Sequence, residues 1–329
     1  MGAISGRLGT RFLAVTVLPN VLLFGYIGFL LAAGTPTRSP SLSRALTTVE
    51  HLNANQITAL VLGLLILSVA THPLQVPLVQ LLEGYWGGLP FGSRLAHRAT
   101  NRFRKERNEA LVTLSKTRKA HHWDWQAKNS RRYAQFRLSW LPRGEDELLP
   151  TDLGNTLWRG ETQAGDRYRL ELDVVLPRLT PLMEPDVLGD LSDLRNQLDA
   201  AARLCVAAGV ATAVSVGLLL WHGPWLFLAL AMYFLSWASY RSAVAAARRF
   251  SLSLAAAIDL YHLKLYEALS LKRPIDLKQE RRCNAVLSKL FSGELAENEM
   301  AGFTYLPPEA ATPAAEQGSP GTTAPPGPQ

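Results

Sequence analysis

Four long apolar runs punctuate the chain, and the polar stretches between them differ sharply in length. The first, 12–33, is almost uncharged and matches the ~20 residues with which a helix crosses a bilayer. Arg7 and Arg11 precede it, and Ala32, Ala33 and Gly34 imitate a signal-peptide cleavage site. A secretory signal usually has an apolar core of ~7–15 residues, so this longer run reads as an anchor. The second run, 57–82, carries His72 and Pro73 and ends at Glu83, Gly84, Tyr85 and Trp86, whose rings suit the lipid–water boundary. The third and fourth, 204–221 and 225–240, are parted only by His222, Gly223 and Pro224. Unpaired backbone amides are costly in hydrocarbon, so these spans are predicted to be helical, and the short connection makes them an antiparallel hairpin.

The polar stretches read mainly as helices. Residues 34–56, rich in Ser, Thr and Pro, form a connector on the outer side, whereas 96–119 lacks Pro and Gly and predicts a helix. Thr151 and Asp152 start a capped helix running through Trp158, and Ala164, Gly165 and Asp166 mark a turn. Residues 169–176 read as a strand or an extended arm, after which Pro177, Pro181 and Pro185 interrupt the chain. Leu188, Leu191, Leu194 and Leu198 then form an apolar stripe with no stop signal before the third run, predicting one continuous rod from cytoplasm into membrane. Beyond the fourth run, Leu254, Ile258, Tyr261, Leu265 and Leu269 form the stripe of a returning amphipathic helix. A last short helix follows Pro274, and 306–329, rich in Pro, Ala, Gly and Thr, reads as a disordered tail.

These elements predict an all-α polytopic membrane protein: two pairs of transmembrane helices, a mainly helical cytoplasmic insert and a helical stalk. Its regions are a first membrane pair in 1–90, an insert in 91–200, the hairpin in 201–245, amphipathic helices in 246–305 and the tail. Hydrophobic residues make up 48% of the chain and charged ones 19%, a balance that suits apolar spans joined by polar domains.

Charge sets the orientation. The formal net charge is +7, but 91–140 holds thirteen Lys and Arg against Glu106, Glu109 and Asp124, whereas 145–200 holds thirteen Asp and Glu against five Arg. Lys and Arg accumulate on the cytoplasmic side of membrane spans, so Arg7, Arg11, the basic insert, Arg241, Arg248 and Arg249 predict a multi-pass protein of the cell membrane with both termini in the cytoplasm. Arg94, Arg98, Arg102, Arg104, Lys105 and Arg107 are the candidate contacts to anionic lipid headgroups, to which each basic residue near the surface contributes about 1 kcal/mol. Trp123, Trp125, Tyr133 and Phe136 interleave with the basic residues as in single-strand binding, but the neighbouring acidic half argues against a nucleic-acid partner.

Motif chemistry is sparse. There is no phosphate-binding Gly-Lys-Ser/Thr loop, His-Glu-x-x-His, Gly-x-Ser-x-Gly or paired Cys-x-x-Cys. No catalytic, cofactor or metal residues are assigned. His121, His122 and Asp124 crowd together without the ligand spacing of a zinc site. His72 and Asn20 are the candidate intramembrane polar residues, each also explicable as a local partner for backbone freed by the adjacent Pro73 or Pro19. Cys205, Gly209, Ala213 and Gly217 recur every four residues as a helix-packing ridge. The lone cysteines, Cys205 and Cys283, predict no disulfide. Asp259, His262, Lys264 and Glu267 read as the solvated face of the returning helix, in preference to an acid–base pair of Asp259 and His262 at i, i+3.

Residues 65–87, with His72 and Pro73 and the run Leu-Leu-Glu-Gly-Tyr-Trp-Gly at 81–87, the segment Leu-Pro-Thr-Asp-Leu-Gly-Asn at 149–155, Arg167 and Tyr168 followed by Pro177, Arg178 and Leu179, and the helix 256–266 resemble a group of uncharacterised actinobacterial integral membrane proteins. The resemblance covers most of the chain outside the tail and implies a cytoplasmic insert between paired spans. It brings no activity or cofactor. The expected function is a non-enzymatic membrane scaffold or signalling-type adaptor, binding the lipid surface or a cytoplasmic protein and open to homo-oligomerisation. The alternative is a small oligomeric channel or transporter, with His72, Asn20 and the small-residue ridge along its path. An enzyme built on Asp152 and Glu161 is the third reading. Transport paths usually carry intramembrane charge, which these runs nearly lack, and this favours the scaffold.

Overall fold

The computed structural model describes residues 18–70, 73, 75–88, 90–118 and 124–294, and the regular structure among them is helical. Helices α1 (Leu18–Ala32), α2 (Leu42–Glu50), α3 (Ala54–Ala70) and α4 (Gln75–Glu83) come first. The insert holds α5 (Gly92–Thr117), α6 (Trp125–Ser139), α7 (Asp152–Asp166) and α8 (Leu172–Leu179). Two long helices, α9 (Pro185–Leu219) and α10 (Leu226–Tyr261), form the hairpin and stalk, and α11 (Lys264–Ala268) and α12 (Leu277–Ser292) close the order. The beginning of the first predicted span, His72 and the tail 306–329 lie outside the described residues.

The rod predicted from the leucine stripe is α9, which Pro185 opens at a position where a missing amide costs nothing, with Asp186 in its first turn. Four sequence expectations need correction. The turn read at Ala164, Gly165 and Asp166 is the last turn of α7, which runs on past Trp158. The run 57–82 is two helices, because Pro73 between α3 and α4 lacks a donor and collides with a helical carbonyl one turn back. The connector 34–56 contains α2, whose Leu42, Leu46 and Val49 form an exposed helical stripe; Arg44 Nη1 donates to the Ala33 carbonyl at 3.2 Å and so covers the end of α1. The predicted strand 169–176 gives way to α8. Val174 and Val175 favour a strand, but Leu172, Val175 and Leu179 are buried at helical spacing.

Among the described residues, α9 alone is by itself long and apolar enough to cross a membrane. The pair Leu42–Glu50 and Ala54–Leu67 meets the same test only jointly, with a bend of 108°, and Pro19–Ala32 is apolar but shorter. Helix α1 leans on α9, where the Tyr26 and Ser215 hydroxyls are 2.8 Å apart. Helices α9 and α10 pack along their lengths, and Ser236 Oγ donates to the Cys205 carbonyl at 2.8 Å.

Two cores lie on the stalk. In one, Leu153 and Leu157 of α7 meet Leu198 of α9 and Ala243, Val244 and Ala247 of α10. In the other, α8 and α12 enclose Leu254, Ile258, Tyr261 and Leu265. A third, smaller cluster of Phe103, Leu141 and Leu148 ties α5 to the loop before α7.

The segment 149–155 is the joint between these parts. Thr151 Oγ1 accepts from the Gly154 amide at 3.0 Å, capping α7, and donates to the Glu83 carbonyl at 2.8 Å. Asn155 bridges the amide and carbonyl of Leu149, both at 2.8 Å. A Cβ on Gly154 would lie 2.0 Å from the Glu83 carbonyl oxygen, so only glycine lets α7 reach the end of α4. Gly154→Ala is therefore expected to cost about 1–3 kcal/mol as overpacking against backbone. Gly189→Ala on α9, where a Cβ meets nothing within 4 Å, should be neutral or stabilising by up to about 1 kcal/mol. Thermal melts of the two variants in one detergent check the contrast.

Candidate functional site

Helix α5 begins at Phe91, held in the left-handed region at φ 63°, and runs without an internal Pro. Phe103 and Ala110 are buried and define its inner face. Arg94, Arg98, Arg102 and Lys105, spaced four, four and three residues apart, lie exposed on another face. The three arginines make no ion pair with any described residue, and Lys105 reaches only Glu109 at 3.9 Å. Apolar Phe91 and Leu95, 73% and 54% exposed, stand beside them. Arg104 and Arg107 do not belong to this free face. They turn to Glu145 at 3.4 and 3.5 Å, and Arg107 also donates to the Arg143 carbonyl, so two of the six candidate headgroup contacts already have partners within the insert.

The acidic half meets the basic half at one further point. Arg137 of α6 donates from Nε to Glu106 at 2.6 Å and from Nη1 to Asp152 at 3.2 Å. Burial opposes its charge, but the bonds to both carboxylates outweigh that and push its pKa above the usual arginine value. Arg248 of α10 lies over the Phe136 and Trp140 rings, 5.0 and 5.4 Å from their centroids. The end of α6 is thus fixed to the stalk.

Other acidic residues line a 380 Å³ cleft between α7, α8 and the stalk, where Glu161 and Asp173 stand with Arg195, Thr180 and Phe250. Arg195 is 3.5 Å from Asp199. Burial pushes the Glu161 carboxyl above its usual range; Asp173 adds to the shift and Arg195 opposes it. Burial likewise raises Asp199, against Arg195 and Arg203. Asp152 and Glu161 sit on one helix nine residues apart, about 13 Å along its axis, so they do not form an acid–base pair.

The structure overturns the solvated-face reading of His262, whereas Asp259 stays partly solvated in an exposed ion pair. Asp259 binds Arg167 Nη1 at 2.5 Å and the Tyr168 hydroxyl at 2.9 Å. His262 is 9% exposed, stacked on Tyr168 with ring centroids 4.1 Å apart, and faces Glu280. Lys264 and Glu267 are exposed. The missed partners were Glu280 and Asn284, one turn apart on the buried side of α12 with Leu287. That i, i+4, i+7 spacing was a legible signal; its polar members masked it.

The remaining candidates divide. His72 and the His121–His122 pair lie outside the described residues, while Asp124 caps α6 by accepting from the Ala127 amide at 2.9 Å. Asn20 is half-buried on α1 and is not without a partner. The described residues contain no group of three or more His, Cys, Asp or Glu placed to hold a metal ion.

On the ridge, Cys205 is buried and Gly209 faces Ser236, but Ala213 and Gly217 are exposed. A strict four-residue repeat gains about 40° per step on a 3.6-residue helix, so its later members rotate off the interface. Comparison with protein-family models, curated proteins and solved structures finds no match to this chain.

Two expectations follow from this geometry. Gly209→Leu should lower thermal stability in detergent by about 1 kcal/mol, the scale of interhelical contributions in membranes, and Gly217→Leu should leave it unchanged. For Glu161, a raised pKa means that the folded state binds the proton more tightly than the unfolded chain. Its contribution is present in acid and is lost as pH rises through the folded value. Glu161→Gln should therefore raise stability near neutral pH and leave it unchanged in acid, as read by melts across that range.

Proposed function

We propose that the chain is a multi-pass membrane scaffold, its spans drawn from α1, the α2–α4 region and the hairpin halves of α9 and α10, with both termini in the cytoplasm. One observation carries this reading: the apolar helices turn large hydrophobic side chains outward. Leu62, Ile66 and Val69 of α3 are 56%, 61% and 60% exposed, and Phe227, Leu230 and Phe234 of α10 are 73%, 59% and 63% exposed. Apolar surface of that extent suits acyl chains and not water. The cytoplasmic halves of α9 and α10 continue the same helices into the two stalk cores, which favours a rigid platform that holds the insert at a fixed distance from the bilayer.

The working surface of this scaffold is the free basic face of α5, beginning nine residues after α4 ends. Arg94, Arg98 and Arg102 supply unpaired charge for anionic headgroups, and Phe91 and Leu95 supply apolar side chains that enter the interfacial layer. Nucleic acid is the competing polyanion; it would give the Phe91 ring a base to stack on but would leave Leu95 without a role.

The test uses the full chain in lipid nanodiscs with a spin label at Leu95→Cys in a background lacking Cys205 and Cys283. Anionic lipid should move the label from water-soluble to oxygen-accessible surroundings, added salt should reverse the shift, and Arg94→Glu with Arg98→Glu should abolish it. A label equally aqueous in zwitterionic and anionic discs defeats the headgroup assignment. Topology is checked separately: single cysteines at Ser43 and Gly318 should react with an impermeant reagent from opposite sides of the membrane, and reaction from one side defeats the span assignment.

A further inference from the structure

Helix α12 is seated on the stalk by a polar knot that contains one contact with an unusual requirement. The Asn284 amide donates to the Tyr168 carbonyl at 3.0 Å, Tyr266 donates to Asn284, and Ser288 accepts from the Glu171 amide at 3.1 Å. Each has a natural donor and acceptor at any ordinary pH. The contact between His262 and Glu280 does not.

Nδ1 of His262 is 2.9 Å from the Ile258 carbonyl oxygen. A carbonyl only accepts, so Nδ1 carries the hydrogen. In a neutral ring Nε2 is then a bare lone pair, and it stands 3.0 Å from Oε1 of Glu280. Both side chains are about 10% exposed, and that oxygen has no hydrogen bond aligned to it. A lone pair against a carboxylate in so dry a place is repulsive unless a proton lies between them, on the ring as imidazolium or on the carboxyl as acid. The stacked Tyr168 ring, inclined by 22°, holds the imidazole in this orientation.

We propose that a proton held between His262 and Glu280 latches α12 to the stalk, making the docking of this helix proton-dependent. Among the described residues no other charged group pairs with Glu280 in the proton's place. Asp259, in the last turn of α10 just before His262, is occupied by Arg167 and Tyr168; Arg281 of α12 donates to the Arg167 carbonyl at 2.9 Å. The phenol of Tyr266 and the thiol of Cys283 are the other titratable neighbours of Glu280; burial pushes both upward, towards their neutral forms. Loss of the shared proton leaves the apolar seat of Leu287 and the bonds at Asn284 and Ser288 in place, so α12 loosens while the α7 core stays shut.

The experiment is amide hydrogen exchange of the full chain in phosphatidylcholine nanodiscs from about pH 5 to about pH 9, bracketing histidine titration. Exchange in α12 is expressed relative to α7, which cancels the chemical pH dependence of exchange and reports local opening. The ratio should rise about tenfold with pH in the parent. Glu280→Gln puts an amide donor opposite the bare Nε2, and His262→Gln puts one opposite the carboxylate, so each should give a ratio that no longer depends on pH. A flat ratio in the parent overturns the latch. A parent-like rise in either variant also overturns it, because the titrating group would then lie elsewhere.

Discussion

The close crossing of α7 over α10 is the constraint on which the insert and the stalk depend. At Gly160 a Cβ would lie 2.1 Å from Ser251 Oγ, so the two backbones touch nearly directly. Leu153 and Leu157 then reach the cleft between α9 and α10 and are buried there. Everything else in the insert takes its place from α7. Its first turn holds the end of α4 through Thr151, its Asp152 takes the arginine that ends α6, and the turn that follows it presents Arg167 and Tyr168 to Asp259. Close helix approach through small residues gives dispersion contacts over a long line, and it also fixes rotation, since a slip of one residue would bring a side chain into the gap.

Much of this was legible in the chain, for reasons that differ by element. The rod α9 was readable because a leucine stripe runs without interruption into an apolar run, and the cap at Thr151 because a short hydroxyl side chain before a polar helix has a defined job. The break between α3 and α4 was harder: Pro73 announces a kink or a stop, and only tertiary contacts decide which. Helix α8 was misread because adjacent valines favour a strand locally, while burial of Leu172, Val175 and Leu179 on the stalk selects the helix.

The polar sites were the least legible part. Arg104 and Arg107 look like their neighbours in sequence, and a rotation of about 200° along the helix from Arg102 to Arg104 is what brings them to Glu145. His262 likewise has an ordinary polar context on its own helix, and its burial depends on α12, which lies beyond a turn and returns Glu280 against it. A side chain whose environment comes from a distant segment leaves no periodic trace around itself.

Charge in the insert is sorted by geometry more than by sequence block. Where basic and acidic halves approach, the Arg137 pairs are partly buried and fix α5, α6 and α7 to one another, and the longer, more exposed pairs at Glu145 tie α5 to the loop before α7. Such pairs contribute little attraction to anything outside, because each cation is already screened by its partner. Among the described residues the arginines toward the start of α5 have no acidic partner, so their charge is not neutralised locally as that of Arg104 and Arg107 is. The +7 formal charge therefore understates the local potential on that face and overstates it elsewhere. Eight residues link α4 to α5, so in the proposed arrangement the spacing between helix and bilayer is set by a short linker and not by a long tether. A charged surface tied that closely to the proposed membrane acts at high effective concentration, so even contacts worth about 1 kcal/mol each suffice to hold it down.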